Sequence, residues 1–298
     1  MAEHIPVLKK EVIDGLLLAD GDRVFDATLG GGGHAQAICG AIGKRGTLVG
    51  TDLDEGALRR TKESTRGCAG TVRLVRENFR NVDVVLEREG VSTIDKALFD
   101  LGMSSLELDA SGRGFSFKKD EPLLMTFDSS PTYGAHTAEE IVNAWPEEEI
   151  ARILKEYGEE RFARRIAQAI ALRRKVKRIE RTGELAEIVS ASIPARFRRS
   201  DSPVKTFQAL RIAVNDELGA LKEGLEKVAA HLAPQGRIAV ISFHSLEDRI
   251  VKRYFRELAT EGKFRIVTKK PIVPSEEEVM RNPRSRSAKL RIIEKCQS

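Results

Sequence analysis

The 298-residue chain has few aromatic residues, few cysteines and no long apolar run. A membrane-spanning helix needs about 18 or more consecutive apolar residues, and no such run occurs, so we expect no membrane span. The first ten residues, MAEHIPVLKK, lack the apolar core of a secretion signal. With 41% hydrophobic and 32% charged residues, the composition is typical of a soluble globular protein.

Cysteine and histidine are both sparse. The three cysteines, Cys39, Cys68 and Cys296, are scattered, odd in number and form no CxxC pair. This usage fits a reducing cytoplasm. The five histidines show no metal-ligand spacing with the cysteines. We therefore predict a cytoplasmic protein without a catalytic metal.

One segment has almost no acidic residues. Residues 161–181 hold nine Arg or Lys and one acid, Glu180, although the net charge of the whole chain is only +5. A local field of this kind attracts phosphate groups, and a solvated helix face is the alternative. We predict that the segment contacts nucleic acid. The candidate contacts are Arg164, Arg165, Arg173 and Arg174.

The strongest local signal is the stretch VFDATLGGGGH at 24–34. A short apolar run ends at Asp26, four glycines follow, and a helix-compatible run begins, which indicates a strand, a tight loop and a helix. Glycines let a backbone approach a ligand closely, and the start of a helix offers free N–H groups. We therefore expect a nucleotide-like ligand across this loop.

Three interpretations of this loop remain open. The spacing Gly30-x-Gly32-x-x-Ala35, with Asp52 about 20 residues further on, matches the dinucleotide fingerprint. An acid shortly before Gly-x-Gly instead resembles the opening motif of class I S-adenosylmethionine (SAM) methyltransferases. A purely structural glycine turn is the third. Asp26 favours SAM, because a carboxylate suits a cationic amino acid moiety and repels a pyrophosphate.

Strand-like and helical segments alternate in the first third of the chain. Acids stand at the strand ends, which favours a parallel sheet with a ligand crevice at the carboxyl ends of its strands. The predicted strands are 23–29, 47–53, 71–76 and 94–101, with helices at 11–18, 35–39, 55–64 and 82–89.

The alternation is interrupted after residue 104. Residues 104–130 indicate a loop, and apolar stripes at helical spacing follow before the sheet pattern resumes. The predicted helices are 147–157, 161–174, 184–193, 206–232 and 246–258, and the predicted strands are 237–243, 263–268 and 289–294, the last two as a hairpin-like pair. One α/β domain, 1–104 and 206–298, is thus expected to carry an α-helical insert, 105–205, that recognises the substrate.

Residues that follow the predicted strands form the candidate site. Asp52 can accept both ribose hydroxyls of a nucleoside, with a surface turn as its alternative, and Phe79 can stack on adenine or belong to the core. Asp100 ends the fourth strand, followed by Ser104. A hydrogen-bond acceptor there can hold the N–H groups of an exocyclic amine and localise its lone pair, or hold the amino group of SAM.

His244 follows the fifth strand, in the sequence SFHSLEDR. A histidine at a strand's carboxyl end can bind substrate or move a proton. The alternative is a helix cap, with Ser245 as N-cap and Asp248 three residues on.

Aromatic and basic residues come together in RGFSF, where Arg113, Phe115 and Phe117 suit phosphate pairing and base stacking. A loop pinned by two buried phenylalanines is the alternative. Arg284 and Arg286 near the C-terminus are further candidates for contact with a nucleic acid backbone.

Eight motifs are spread over nearly the whole chain. They are HIPVL at 4–8, GGGH at 31–34, DLGMSS at 100–105, RGFSF at 113–117, YGEERFA at 157–163, TFQALRI at 206–212, SFHSLEDR at 242–249 and NPRSRS at 282–287. Together they resemble the bacterial RsmH (MraW) family. Eight motifs in one order are far more specific than a single glycine loop.

The resemblance implies a cytoplasmic SAM-dependent 16S ribosomal RNA (cytosine-N4)-methyltransferase, whose target is one cytidine in the decoding region of the small ribosomal subunit. It implies a class I methyltransferase domain, Rossmann-like with a mostly parallel sheet, carrying an α-helical insert. The target base would be extruded into a pocket bordered by Asp100, Ser104, Phe115, Phe117 and His244. The implied SAM contacts are Gly32, Gly33, His34, Asp52, Phe79, Asp100 and Glu107.

Three positions depart from the family pattern. Glu107 stands where the family has a glutamine, so a hydrogen-bond donor is lost while an acceptor remains. Leu124 and Thr126 stand in PLLMTFD, where the family reads PLDMRMD, so an acid and a base are both missing. A salt bridge replaced by apolar packing explains the loss of both, and altered substrate contacts are the alternative.

Two rival functions use the same cofactor loop. One is a SAM enzyme that methylates amino groups of DNA. The other is a ribosome-binding factor without catalysis that keeps SAM as a structural ligand. A homodimer is compatible with the sequence, which does not define the oligomeric state.

Overall fold

The structure of the chain, a computed structural model, describes residues 5–103, 111–128 and 136–297. Two residues of the predicted site, Ser104 and Glu107, lie outside this part of the chain, so their roles stay predictions. None of the described helices is both long enough and apolar enough to cross a bilayer.

The chain forms two compact units. One unit combines Met1–Ser104 with Leu218–Ser298, and the other is Ser105–Glu217. The second unit therefore continues beyond the predicted boundary at 205. The reason is that the helix following this boundary packs against the helices of the second unit.

The first unit contains a seven-stranded sheet in the order β3-β2-β1-β4-β5-β7-β6. Strands β1 to β5 pair in parallel, whereas β7 runs antiparallel to both β5 and β6. The predicted parallel sheet and the predicted final pair of strands are therefore confirmed. The strands are β1 Arg23–Asp26, β2 Thr47–Asp52, β3 Thr71–Arg76, β4 Ile94–Asp100, β5 Leu232–Ser242, β6 Phe264–Ile266 and β7 Lys289–Lys295.

Helices connect the strands and build the second unit. They are α1 Lys9–Leu16, α2 Gly33–Ile42, α3 Glu55–Ser64, α4 Val82–Arg88, α5 Ala138–Ala144, α6 Glu147–Glu156, α7 Ala163–Arg174, α8 Thr182–Ser192, α9 Val204–Asn215, α10 Glu217–His231, α11 Ser245–Thr260 and α12 Glu276–Arg281. Neither α5, with 7 residues, nor α12, with 6, is among the helices predicted from the sequence.

Helices cover both faces of the sheet, so its strands are apolar on both faces. Leu98 of β4 packs in one core cluster with Ile38 of α2, whereas the neighbouring Phe99 packs in the other with Leu225 of α10 and Phe255 of α11. Each fully buried side chain of this size stabilises the fold by about 1.5–3 kcal/mol. The sheet is thus a rigid frame for residues at its strand ends.

The single helix predicted at 206–232 is two helices in the structure. Asp216 adopts a left-handed conformation, with φ 46° and ψ 44°, which ends α9 before α10 begins. Asn215 fixes this corner, since its amide donates to the carbonyl of Met125 and its side-chain oxygen accepts from the N–H of Phe127. The apolar stripe continues across the corner, so periodicity alone does not reveal the break.

Cys39 and Cys68 form a disulfide bond, while Cys296 is a free thiol. The bond joins α2 to the loop that follows α3. Nothing in the spacing of the cysteines indicates this pairing, and a disulfide does not follow from the expectation of a reducing compartment, where such bonds are rare.

We expect Cys68→Ser to lower the free energy of unfolding by about 3 kcal/mol without reductant, because a link across 29 residues restricts the unfolded chain. Chemical denaturation with and without dithiothreitol measures this difference, which should vanish in reductant. Cys296→Ser is the control and should change nothing. Equal stability of Cys68→Ser and the unmodified chain under oxidising conditions would contradict the prediction.

Candidate active site

The turn between β1 and α2 packs so closely against α3 that its Gly32 leaves no room for a Cβ. Gly30 and Gly32 have positive φ, 51° and 79°. A Cβ on Gly32 would lie 2.7 Å from the hydroxyl oxygen of Ser64 and 3.0 Å from Cα of Thr61. Gly32 is also the N-cap of α2, and no side chain among the described residues caps this helix. The first turn of α2 is therefore suited to bind an anionic group.

Gly33 lies against the segment that leads into α1. A Cβ on Gly33 would lie 2.8 Å from Cγ of Pro6. Val7 and Leu8 are buried in the core cluster that includes Ile38 of α2. The HIPVL motif therefore supports the glycine turn, a contact that sequence reasoning missed because the two segments are joined only by tertiary packing.

Asp52 ends β2 and fixes the glycine turn. Its Oδ2 accepts a hydrogen bond from the N–H of Gly30 at 2.9 Å, and its Oδ1 accepts one from the N–H of Asp54 at 2.9 Å. A carboxylate offers about four acceptor positions, more than these two bonds use. Binding of ribose hydroxyls is compatible with this geometry and stays a prediction.

Asp26 ends β1 and is fully buried, with 0% exposure. Its Oδ1 accepts a hydrogen bond from the N–H of Thr28 at 3.3 Å, while its Oδ2 has no hydrogen-bond partner among the described residues. Burial raises the pKa of Asp26 well above its usual value, and the charges of Asp100 and Asp52 raise it further. A buried carboxylate oxygen without a partner costs free energy, which a cationic ligand would offset.

Asp100 ends β4 and is tied to the same turn. Its N–H donates to the hydroxyl of Thr28 at 2.8 Å, and Nε2 of His34 lies 3.5 Å from its Oδ2. Its Oδ1 has no hydrogen-bond partner in the described part of the chain. Burial raises the pKa of Asp100 to about 7, and the negative charge of Glu247 contributes. Near neutral pH this carboxyl can therefore accept or donate a hydrogen bond.

His244 is the N-cap of α11. Its Nδ1 accepts from the N–H of Glu247 at 3.4 Å, and Oε2 of Glu247 accepts from the N–H of His244 at 3.2 Å, which forms a capping box. The predicted cap at Ser245 is thus wrong by one residue, and Asp248 instead pairs with Arg291 at 2.6 Å. A catalytic role of His244 stays a prediction.

Phe79 packs beside β4 in the core of the first unit. Its ring meets Phe99 edge-on, with ring centroids 5.5 Å apart and an interplanar angle of 85°. A Cβ on Gly224 of α10 would lie 2.7 Å from Cδ2 of Phe79, so this glycine makes room for the ring. Because Phe79 is only half-buried, stacking on adenine is compatible with its packing and stays a prediction.

The RGFSF loop is anchored inside the second unit. Arg113 is only 9% exposed, and its guanidinium donates to the carbonyls of Thr126 at 3.0 Å and Phe127 at 2.6 Å. Phe115 is buried with its ring centroid 5.7 Å from that of Phe127, and Phe117 packs edge-on against another ring. This burial is at odds with the predicted contact of Arg113 and Phe115 with RNA and favours the alternative, a loop pinned by buried rings.

Two of the departures from the family pattern fall in the next segment. The hydroxyl of Thr126 donates to the carbonyl of Asp128 at 3.0 Å. Leu124 is half-buried, and its N–H bonds the carbonyl of Pro122 at 2.9 Å. Leu124 and Thr126 therefore make local contacts within the second unit. This favours the explanation that an ion pair at these two positions was replaced.

The predicted basic contacts fall into two groups. Arg174 donates to the carbonyls of Val142 at 3.1 Å and Trp145 at 2.7 Å, so its guanidinium caps the end of α5. The other candidates are exposed to solvent, and their contact with RNA stays a prediction. They are Arg164, Arg165, Arg173, Arg284 and Arg286.

Three carboxylates stand at one edge of the sheet. Asp26, Asp52 and Asp100 end β1, β2 and β4, which are neighbouring strands, beside the N-terminus of α2. The negative field attracts a sulfonium and an ammonium group and disfavours the pyrophosphate of a dinucleotide. The N–H groups of α2 suit a carboxylate. SAM carries all three of these groups, so the residues present fit SAM.

Sequence reasoning missed two residues of this edge. Thr28 joins the turn to Asp100 through its hydroxyl, and threonine in a glycine-rich turn gives no signal of its own. Glu247 raises the pKa of Asp100 from the start of α11. The sequence did contain a signal for Glu247, because it stands three residues after His244, which is the spacing of a capping box.

The parallel sheet, its glycine turn and its row of carboxylates define a class: the chain is a SAM-dependent methyltransferase. The profile of the MraW methylase family matches residues 1–296. The chain belongs to this family.

Two curated relatives are both named ribosomal RNA small subunit methyltransferase H. The protein of Paenibacillus sp. (strain JDR-2) is 46% identical over 318 residues, which cover 99% of this chain and 100% of the relative. The protein of Heliobacterium modesticaldum is 47% identical over 310 residues, which cover 98% of each. Among solved structures, one described as a putative rRNA-methylase from Clostridium thermocellum aligns with a TM-score of 0.48 at 13% identity, covering 99% of this chain and 98% of that one.

Proposed function

We propose that this methyltransferase transfers the methyl group of SAM to N4 of one cytidine in the decoding region of 16S ribosomal RNA, in the cytoplasm. The names of relatives at 46% and 47% identity support a small-subunit ribosomal RNA as the substrate. The observation that carries the chemistry is Asp100, a half-buried carboxyl beside the glycine turn whose Oδ1 is buried and has no hydrogen-bond partner among the described residues. The N4 position itself rests on the resemblance to the family.

The chemistry requires an acceptor at that place. The N4 amine of cytosine is a poor nucleophile, because its lone pair is delocalised into the ring. SAM supplies an electrophilic methyl group when it is bound. Oδ1 of Asp100 can accept an N–H of the amine and so localise the lone pair, and Nε2 of His34 lies 3.5 Å from Oδ2 of the same carboxyl. Such positioning contributes several kcal/mol, on the order of 7 for well-aligned groups.

The remaining residues at this edge of the sheet would bind and orient the cofactor. Asp26 can offer Oδ2, which has no hydrogen-bond partner in the described part of the chain, to a cationic group of the cofactor. Asp52 can accept ribose hydroxyls while it holds Gly30. Gly32 and Gly33 let the turn pack closely against α3 and Pro6, since a Cβ on either would clash with these neighbours.

Mass spectrometry of 16S RNA from cells with and without the protein tests the proposal. We expect N4-methylated cytidine in the decoding region only when the protein is present. The unmodified chain should restore it in depleted cells, and Asp100→Asn should not. An unchanged nucleotide in cells that lack the protein would refute the proposal.

Purified protein separates the rival functions. With labelled SAM, we expect label in small ribosomal subunits and none in duplex DNA. Label in DNA would identify an amino-methyltransferase of DNA. Binding to subunits without any transfer would identify a non-catalytic factor. The homodimer stays a prediction.

A further inference from the structure

Two arginines and two phenylalanines form an exposed cluster in the second unit, here called the Arg–Phe stack. The rings of Phe162 and Phe197 have centroids 5.6 Å apart. The guanidinium of Arg161 lies 5.0 Å from the centroid of Phe197 and 5.6 Å from that of Phe162, and the guanidinium of Arg196 lies 4.8 Å from that of Phe197. Arg161 and Phe162 belong to the basic segment 161–181, but none of the four residues is among the individual candidate contacts named from the sequence.

The backbone holds both rings in place. Phe197 ends a short 3₁₀ turn after Pro194, closed by a bond from the N–H of Phe197 to the carbonyl of Pro194 at 2.8 Å. Phe162 directly precedes α7, and its N–H donates to Oε1 of Glu160 at 2.8 Å. Phe197 nevertheless stays 38% exposed. Cation–π contacts at exposed sites are weak, so they explain poorly why the fold keeps this ring in water.

The surroundings of the stack are strongly basic. Neither Arg161 nor Arg196 takes part in an ion pair within the described ranges. The end of the basic segment is different, because Arg178 pairs with Glu139 at 2.7 Å and Arg181 with an aspartate. In the described ranges, therefore, no ion pair neutralises the charge of either arginine of the stack. The exposed arginines that flank it in the chain are Arg164, Arg165, Arg198 and Arg199.

We propose that the Arg–Phe stack is a platform for an unpaired nucleotide of RNA. A base stacks on Phe197 or on a guanidinium plane, and the flanking arginines bind the adjacent phosphates. Aromatic rings and guanidinium planes stack on unpaired bases of any sequence, whereas a duplex hides the faces of its bases. An acidic protein would pair with the arginines but leaves no role for an exposed ring. The proposal rests on RNA being the substrate, as argued above.

Fluorescence anisotropy of the full chain with a labelled single-stranded oligouridine, without SAM, tests the platform. Phe197→Ala should weaken binding about tenfold, because one stacked base is lost, and Phe197→Trp should retain it. Arg196→Gln should weaken binding and reduce the slope of log affinity against log salt by about 1. Leu172→Ala is the matched control, since Leu172 is 57% exposed in the same basic segment, and it should bind like the unmodified chain.

Three outcomes overturn the platform. In the first, Phe197→Ala, shown to be folded by an unchanged melting temperature, binds as tightly as Leu172→Ala. In the second, Phe197→Ala weakens binding of double-stranded RNA as much as binding of oligouridine, which would mean that the cluster does not recognise unpaired bases. In the third, a labelled polyglutamate peptide shows the tenfold dependence on Phe197 instead of oligouridine, which assigns the stack to an acidic protein.

Methylation assays separate this proposal from the proposed function. If Phe197→Ala methylates small ribosomal subunits with an unchanged KM, the platform fails and the function stands. If the unmodified chain methylates no subunits but oligouridine binding depends on Phe197, the function fails and the platform stands. A raised KM with an unchanged kcat is the result expected when both are correct.

Discussion

Asp100→Asn is expected to lower kcat/KM for methyl transfer by about 10²- to 10³-fold. The backbone of Asp100 is fixed by its N–H, which donates to the hydroxyl of Thr28, and Nε2 of His34 lies 3.5 Å from Oδ2 of its side chain. Asparagine keeps the shape of the side chain but loses its charge and turns one acceptor into a donor. It therefore cannot both hold an amine N–H and balance a cationic cofactor. Initial rates with labelled SAM and small ribosomal subunits measure the loss.

The pH dependence of kcat/KM of the unmodified chain should reflect the titration of Asp100. Burial, with the charge of Glu247, raises the pKa of Asp100 to about 7. Below that pH the carboxyl holds a proton and donates where it should accept, so kcat/KM should rise through about pH 7 and then level off. Asp100→Asn should show no such step. A flat profile of the unmodified chain from about pH 5.5 to about pH 9 would refute the role of Asp100.

Loss of activity in Asp100→Asn should be accompanied by a gain in stability. Between an unfolded pKa of about 3.9 and a folded pKa of about 7, the folded chain keeps a proton that the unfolded chain has lost. The free energy of unfolding therefore falls as pH rises through this window, and the loss is complete above it. Asparagine removes this effect, so at about pH 8 the variant should be more stable by up to about 4 kcal/mol. Denaturant titrations at about pH 5 and about pH 8 measure it.

Asp95 provides the matched control, because it lies near the opposite end of β4 and pairs with Arg23 at 2.9 Å. Asp95→Asn should leave kcat/KM unchanged and lower the free energy of unfolding by about 1 kcal/mol. An equal loss of activity in both variants would mean that Asp100 acts only through the integrity of the strand.

Much of the sheet follows from the sequence, because strand periodicity and acids at strand ends are local signals. The helix at 206–232 shows the limit of this approach. Its apolar stripe runs through Asp216, where the backbone turns left-handed because Asn215 bonds a distant loop. The disulfide between Cys39 and Cys68 could not be predicted from the sequence either. Both depend on tertiary contacts that leave no periodic trace.

The candidate site divides in the same way. Asp52 and Asp100 could be placed together from the sequence, because parallel strands bring their carboxyl ends to one edge. Side-chain roles were harder. Arg113 looked like a phosphate ligand, but its guanidinium bonds backbone carbonyls. His244 caps a helix, which the sequence placed one residue later, and its catalytic role stays a prediction. A residue type shows what a side chain can do, whereas burial and nearby partners determine which of these roles it takes.

Gly32→Ala is expected to weaken SAM binding at least tenfold and to lower the free energy of unfolding by about 1–2 kcal/mol. The residue has a φ of 79°, where a Cβ is strained, and that Cβ would lie 2.7 Å from the Ser64 hydroxyl and 3.0 Å from Cα of Thr61. The turn must then move away from α3, and it takes with it the N–H of Gly30 that bonds Asp52. Isothermal titration with SAM and thermal denaturation measure the two effects.

Gly40, in the helix that follows the turn, provides the control for replacing any glycine by alanine. A Cβ there meets nothing within 4 Å, so Gly40→Ala should stabilise α2 by about 0.5–1 kcal/mol and leave SAM affinity unchanged. Adding Ser64→Ala to Gly32→Ala should restore part of the affinity but not all, because the hydroxyl contact is relieved while the contact with Cα of Thr61 remains. Full affinity of Gly32→Ala alone would mean that SAM does not bind across this turn, and the assignment of the carboxylates beside it would fail as well.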